Sequence, residues 1–190
     1  MISNGKELAD KIVSFDNVFP KSEEYIKTIL DQSIEWKKAK IYKDGESSQN
    51  NLDVRDTDII LLPNNKDFSS NVLSDLSRDF SSSIKPYLDY YIDKYNLSVR
   101  SYENPQLLRY GKGQKFDEHS DRTMFFPRTI SLTYYVNDEY EGGEIEFVNF
   151  NLKVKSKKNQ LLVFPSSDLY AHKVHSVTCG LRYVIVQWIR

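Results

Sequence analysis

Thr129-Ile130-Ser131-Leu132-Thr133-Tyr134-Tyr135-Val136 repeats with a period of two and is built largely from β-branched and aromatic side chains. On an extended backbone, successive side chains point to opposite faces, so this pattern predicts a strand. Outward from it, similar short segments recur after Ser98, separated by turn residues. Strands are expected near 105–111, 129–136, 144–150, 152–155, 160–164, 172–177 and 182–189. Asn137 to Gly143, Lys155 to Asn159 and Thr178 to Leu181 are expected to join them.

The half before Ser98 reads differently. From Ser22, taken as an N-cap with Glu23 and Glu24 in the first turn, apolar residues recur at Ile26, Ile29, Leu30, Ile34 and Trp36. Tyr42 to Leu52 reads as a surface loop, followed by a short strand from Thr57 to Leu62 and a turn at Pro63-Asn64-Asn65. A longer helix is expected from about Ser69, with Leu73, Leu76, Phe80, Ile84, Leu88 and Ile92 on one face. Pro86 should kink or break it.

These elements define an α+β chain with a mainly β core: a jelly roll, or double-stranded β-helix, with an N-terminal helical layer packed on one sheet. A length of 190 residues suits one domain over 1–190. Within it, 1–97 would form a helical buttress with strands and 98–190 the β core. The net charge of -1 gives no global attraction toward nucleic acid or anionic lipid. Cys179 is the single cysteine, so no internal disulfide forms, and a reducing cytoplasm is the expected setting. The N-terminus has no signal-peptide pattern and no stretch is long enough to span a bilayer.

All three histidines, His119, His172 and His175, fall in the β half. In Glu118-His119-Ser120-Asp121, the histidine and aspartate lie two positions apart and share a face of an extended chain. Two imidazoles and one carboxylate leave part of a metal's coordination open, which suits a non-haem Fe(II) that must also bind oxygen and a co-substrate. Downstream, His172-Lys-Val-His175-Ser-Val-Thr-Cys-Gly180-Leu-Arg182 supplies a third ligand and an arginine ten residues after His172. If these strands pair as a hairpin around Cys179-Gly180, an inward Arg182 comes within reach of whatever the metal holds. Its planar guanidinium then suits a bidentate carboxylate.

The ordered set Arg109-Tyr110-Gly111-Lys-Gly113, His119-x-Asp121, Thr129 to Asn137, Gly142-Gly143-Glu144, Phe164-Pro165, His172-x-Val174, Gly180-x-Arg182 and Trp188-Ile189 resembles the 2-oxoglutarate/Fe(II) dioxygenases. Within that family, the resemblance is to the prolyl 4-hydroxylase-like branch. It implies iron ligands at His119, Asp121 and His172. It also implies 2-oxoglutarate binding by Arg182 with Tyr110 and Tyr135 lining the pocket, and activity supported by ascorbate. Gly142 and Gly143 would serve a turn. The chain departs from the family's His-x-Val-x-Pro-Val pattern by having Ser176 in the proline position, with His175 just before it. The spacing to Gly180 and Arg182 selects His172 as the ligand, and His175, on the opposite face, is left structural or substrate-facing.

The implied reaction hydroxylates an unactivated C–H bond while 2-oxoglutarate and oxygen become succinate and CO2. Asp121 argues against a halogenase, which needs that coordination position for halide. A prolyl residue in a peptide or protein is the leading substrate, held along loops such as Lys112 to Glu118, Arg122 to Pro127 and Asp138 to Glu141. A free amino acid or other small metabolite is the alternative. The one basic run, Lys153-Val-Lys155-Ser-Lys157-Lys158, reads as a solvated hairpin tip rather than a nucleic-acid stripe. From another class, a catalytically silent jelly roll that binds a carbohydrate or protein partner is also carried forward.

Overall fold

The computed structural model describes residues 5–41, 51–64, 71–122, 124 and 127–190. The strand quoted above is β7, Ile130–Tyr135, and all six of its residues are buried. Its odd–even alternation therefore separates two cores rather than a core from water. Ile130, Leu132 and Tyr134 face one cluster, whereas Tyr135 belongs to another.

The larger sheet places β7 at its centre. In spatial order it runs β1 (Lys6–Ala9), β2 (Ile12–Phe15), β11 (Gln160–Pro165), β7, β14 (Arg182–Ile189), β5 (Gln106–Tyr110), β4 (Asp58–Leu61) and β3 (Lys37–Lys38). Every named pairing is antiparallel. Opposite it, a four-stranded sheet runs β10 (Leu152–Val154), β9 (Ile145–Phe147), β12 (His172–Val174) and β6 (Phe116–His119). A separate pair joins β8 (Tyr140–Gly142) to β13 (Val177–Gly180). Two facing antiparallel sheets with a helical layer give the expected double-stranded β-helix.

The outer face of the large sheet is covered by α1 (Ser22–Asp31) and α2 (Val72–Lys94). Leu76, Phe80, Ile84, Leu88 and Tyr91 of α2 pack with Ile26 and Ile29 of α1 against Leu107, Ile130, Leu132, Leu161 and Ile185. Asn71 starts α2, its side chain accepting hydrogen bonds from Leu73 N at 3.1 Å and Ser74 N at 3.0 Å. Pro86 lies inside α2 without ending it. It is exposed, so the carbonyl it leaves unbonded is on the solvent side, while Ile84 and Leu88 stay anchored on the sheet. Among the described residues, no helix is long and apolar enough to cross a membrane.

Several local expectations change. Ser22 is not the cap of α1: Lys21 occupies that position without a side-chain bond. Ser22 instead lies inside the helix–sheet interface, with its hydroxyl 2.8 Å from that of Tyr134. Leu30 turns outward. The strands β1 and β2 at the N-terminus were unexpected, as were β3, β6, β8 and β13. The segment 144–150 is strand only to Phe147, after which Val148–Phe150 forms a 3-10 turn. The expected strand 172–177 divides into β12 and the start of β13. β13 and β14 do not form a hairpin: β13 pairs with β8, and β14 pairs with β5 and β7. Gly180 (φ 79°) turns the chain from one sheet into the other. Residues 42–50 of the expected loop, the first residues of the expected second helix and parts of Arg122 to Pro127 lie outside the described residues.

Candidate metal and carboxylate site

The small sheet brings the first three candidate residues together. β12 runs antiparallel to β6 with His172 directly opposite His119. Directly paired residues on one sheet face lie close enough for their side chains to touch, and here the two imidazole centroids are 4.4 Å apart. Asp121 follows two residues after His119, with its carboxylate 3.9 Å from His119 Nε2 and 3.8 Å from His172 Nε2. One ligand atom from each residue falls within 4.8 Å of the others, the only such grouping of three among the described residues.

The imidazoles are oriented by the backbone. His119 Nδ1 donates to the Asp117 carbonyl at 2.8 Å, and His172 Nδ1 donates to the Tyr170 carbonyl at 3.0 Å. A carbonyl only accepts, so each Nδ1 carries hydrogen, and Nε2 is the ring atom turned toward Asp121. Phe116 stacks on His119 with centroids 3.6 Å apart, and Phe164 meets His172 edge-on at 5.0 Å. Burial, followed by the neighbouring His172, pulls the pKa of His119 down to about 3, which keeps it a neutral donor near pH 7. Burial alone would raise the Asp121 carboxyl. His172 and His119, assisted by Ser131 and Trp188, outweigh it and hold the carboxyl below its ordinary value.

Arg182 lies in the same cavity, on the inner face of β14. It is 1% exposed, and neither Nε nor Nη1 has a hydrogen-bond partner. Its guanidinium carbon sits 4.9 Å from the Tyr110 ring centroid and 5.4 Å from that of Tyr135, whose hydroxyl is also unpartnered. Burial lowers an arginine pKa, but the hydroxyls of Tyr140, Tyr135 and Tyr110 reverse this and raise it, so the charge is retained. A buried cation with unmatched donors costs free energy until an anion meets it. Gly143 makes room for it: a Cβ there would stand 2.9 Å from Arg182 Cδ, and its φ of 67° disfavours any side chain.

All six candidates thus border one cavity or its wall, whose open volume is about 40 Å³. His175 lies elsewhere, its Nε2 paired with Glu146 at 2.6 Å. The fold adds residues with no signal in the sequence. Arg55 enters the cavity from the segment before β4. Arg128 donates to the Asp121 carbonyl at 3.3 Å, lies over the Trp188 ring at 3.8 Å and pairs with Glu103 at 2.7 Å. Isolated arginines in a chain with 26 basic residues carry no motif, and only the tertiary arrangement marks them.

Two imidazoles, a carboxylate and a nearby guanidinium inside a double-stranded β-helix form a site with the donors for a divalent metal and a cation for an anionic ligand beside it. Comparisons with known proteins narrow it. Residues 105–190 match the family model described as the 2OG-Fe(II) oxygenase superfamily. A PKHD-type hydroxylase of Prochlorococcus marinus strain MIT 9215 is 31% identical over 136 residues, covering 64% of this chain and 61% of that one. The matched segment spans about half of a second Prochlorococcus marinus PKHD-type hydroxylase, strain SARG, at 34% identity. In fold, the viral collagen prolyl hydroxylase of Paramecium Bursaria Chlorella virus-1 superposes with a TM-score of 0.70, 18% identity and coverage of 97% and 99%. A Trichoplax adhaerens prolyl hydroxylase, solved with a hypoxia inducible factor peptide fragment, gives a TM-score of 0.76 at 18% identity, covering 95% and 84%. Over residues 105–190 the chain is thus similar to the 2-oxoglutarate/Fe(II) oxygenase superfamily, and it shares its fold with prolyl hydroxylases.

Proposed function

We propose that this protein is a hydroxylase in which His119, Asp121 and His172 hold Fe(II) and Arg182 holds 2-oxoglutarate, and that its substrate is a prolyl residue of a peptide or protein. The observation that carries the reading is Arg182: a fully buried guanidinium with two unmatched donors, in the same cavity as three converging ligand atoms. The residues fit both absent groups. Imidazole nitrogens and a carboxylate are the donors a ferrous ion takes, and a rigid fork of N–H groups matches a carboxylate.

Iron, when bound, supplies the oxygen chemistry that couples decarboxylation of 2-oxoglutarate to hydroxylation. The chain does the rest. The Asp117 and Tyr170 carbonyls fix the imidazoles, Arg182 and Tyr135 fix the far carboxylate, and Tyr110 walls the pocket. Leu108, Val174 and Val184 line the same cavity and exclude water. No general acid or base is needed among these residues. The prolyl assignment is supported by the prolyl hydroxylase names of the structural neighbours, one of them bound to a peptide. The chain acts as one domain, and ascorbate serves as supporting reductant.

The test is succinate formation from 2-oxoglutarate with Fe(II), ascorbate and a proline-containing peptide library, with mass spectrometry of the peptides. Succinate together with a peptide gaining one oxygen on proline supports the reading. Succinate with no modified peptide, but with an oxidised free amino acid, replaces the substrate. No succinate under any condition refutes the enzyme.

A further inference from the structure

Arg55 is a second buried arginine in the cavity, and the site described so far does not use it. It is 9% exposed. Nη1 donates to the Lys40 carbonyl at 3.1 Å, whereas Nε is buried with no partner. The guanidinium lies 4.6 Å from the Phe116 ring centroid, and Phe116 stacks on His119. A backbone bridge from Arg55 to Phe116 and the Asp56 N–H donation to the Lys115 carbonyl at 3.0 Å tie its segment to the strand bearing His119. The side chain is therefore positioned by packing and by backbone contacts, and among the described residues it makes no ion pair.

Charge in the cavity makes the same point. Among its lining residues, the arginines and carboxylates are Arg55, Arg182 and Asp121. A divalent metal and a dianionic co-substrate cancel one another, so the loaded cavity keeps one positive charge, and Arg182 is already committed. Arg128, the next cation, is paired with Glu103. Retaining an uncompensated guanidinium in such a site is costly unless a ligand oxygen meets it.

We propose that Arg55 receives a carbonyl-type oxygen of the substrate, so that the hydroxylated residue is selected by an amide carbonyl or carboxylate as well as by its C–H bond. This rests on the oxygenase reading above and deepens it. Arg55 is a specificity-determining residue: it binds the substrate, not 2-oxoglutarate.

The test uses full-length protein carrying isotope-labelled arginine, loaded with Zn(II) and 2-oxoglutarate, with the Arg55 Nε–H resonance assigned by its loss in Arg55→Lys. The probes are N-acetyl-L-proline, N-acetyl-L-prolinamide and N-acetylpyrrolidine, which lacks the oxygen in question. The resonance is expected to move with the first two and not with the third, which should bind roughly tenfold more weakly, as befits loss of one charge-assisted hydrogen bond. Tighter binding of the acid than the amide assigns the oxygen to a free carboxylate, and equal binding assigns it to a peptide carbonyl. If no prolyl probe binds but N-acetyl derivatives of other amino acids move the signal, the prolyl reading falls and the Arg55 assignment stands. A signal that follows 2-oxoglutarate alone, that responds equally to N-acetylpyrrolidine, or that no probe moves overturns the proposal.

Discussion

His172 and His119 sit directly opposite one another on adjacent antiparallel strands, each anchored through Nδ1 to a backbone carbonyl two residues earlier in the chain. This pairing turns both Nε2 atoms toward the Asp121 carboxylate. The third histidine, His175, is paired with Glu146 outside this arrangement.

Replacing His172 with alanine should therefore lower Fe(II) affinity by more than the ~10–100-fold that follows loss of a supporting hydrogen bond. His175→Ala should stay within a few-fold of the wild type. Anaerobic equilibrium dialysis against Fe(II) measures both, and equal losses would contradict the ligand assignment.

Arg182 links stability to ligand in an unusual direction. Arg182→Met removes a buried cation whose Nε and Nη1 are unmatched, so the ligand-free variant should melt at the same temperature as the wild type or higher. With Arg182 holding 2-oxoglutarate as proposed, the co-substrate should raise the melting temperature of the metal-loaded wild type and leave that of the variant unchanged. Thermal unfolding with and without 2-oxoglutarate reads both effects.

Gly143→Ala places a Cβ against Arg182 Cδ in a left-handed backbone conformation. A loss of about 1–2 kcal/mol of stability is expected, together with weaker 2-oxoglutarate binding. Urea unfolding and a KM measurement test this, and an unchanged KM would show that Arg182 tolerates displacement.

In the metal-free protein, stability should fall as the pH drops below about 6.5. His119 is held neutral down to about 3 when folded but titrates near 6.5 when unfolded, so the unfolded chain binds more protons in that window. The lowered Asp121 carboxyl acts with the same sign at lower pH. Melting temperatures measured in chelator from pH 7 to pH 4 should slope downward, and His119→Gln should flatten the upper part of that slope.

Long periodic elements were legible in the sequence, and their positions in β7, β11, β14 and α2 follow the expected ones within a few residues. That His119, Asp121 and Arg182 meet in one cavity was also legible, because strand parity and motif order survive without coordinates. The route to Arg182 was not: it enters the cavity from β14, seated between β5 and β7, and not from a hairpin with β13. The strands β1, β6, β8 and β13 have only three or four residues and pair with chain segments that local pattern does not reveal. The turn between β1 and β2 uses Lys11 at φ 53°, a residue with no turn signature. Ser22 resembles a cap by type, yet its hydroxyl is taken by Tyr134, 112 residues away.

The central claim is that one cavity holds a ferrous ion on three side chains and a dicarboxylic acid on Arg182. Anaerobic calorimetric titration of 2-oxoglutarate into Fe(II)-loaded protein tests it most directly. The account predicts one binding event per chain that disappears on removal of the metal and in Arg182→Met. Binding of the same strength to the metal-free protein or to Arg182→Met would contradict it.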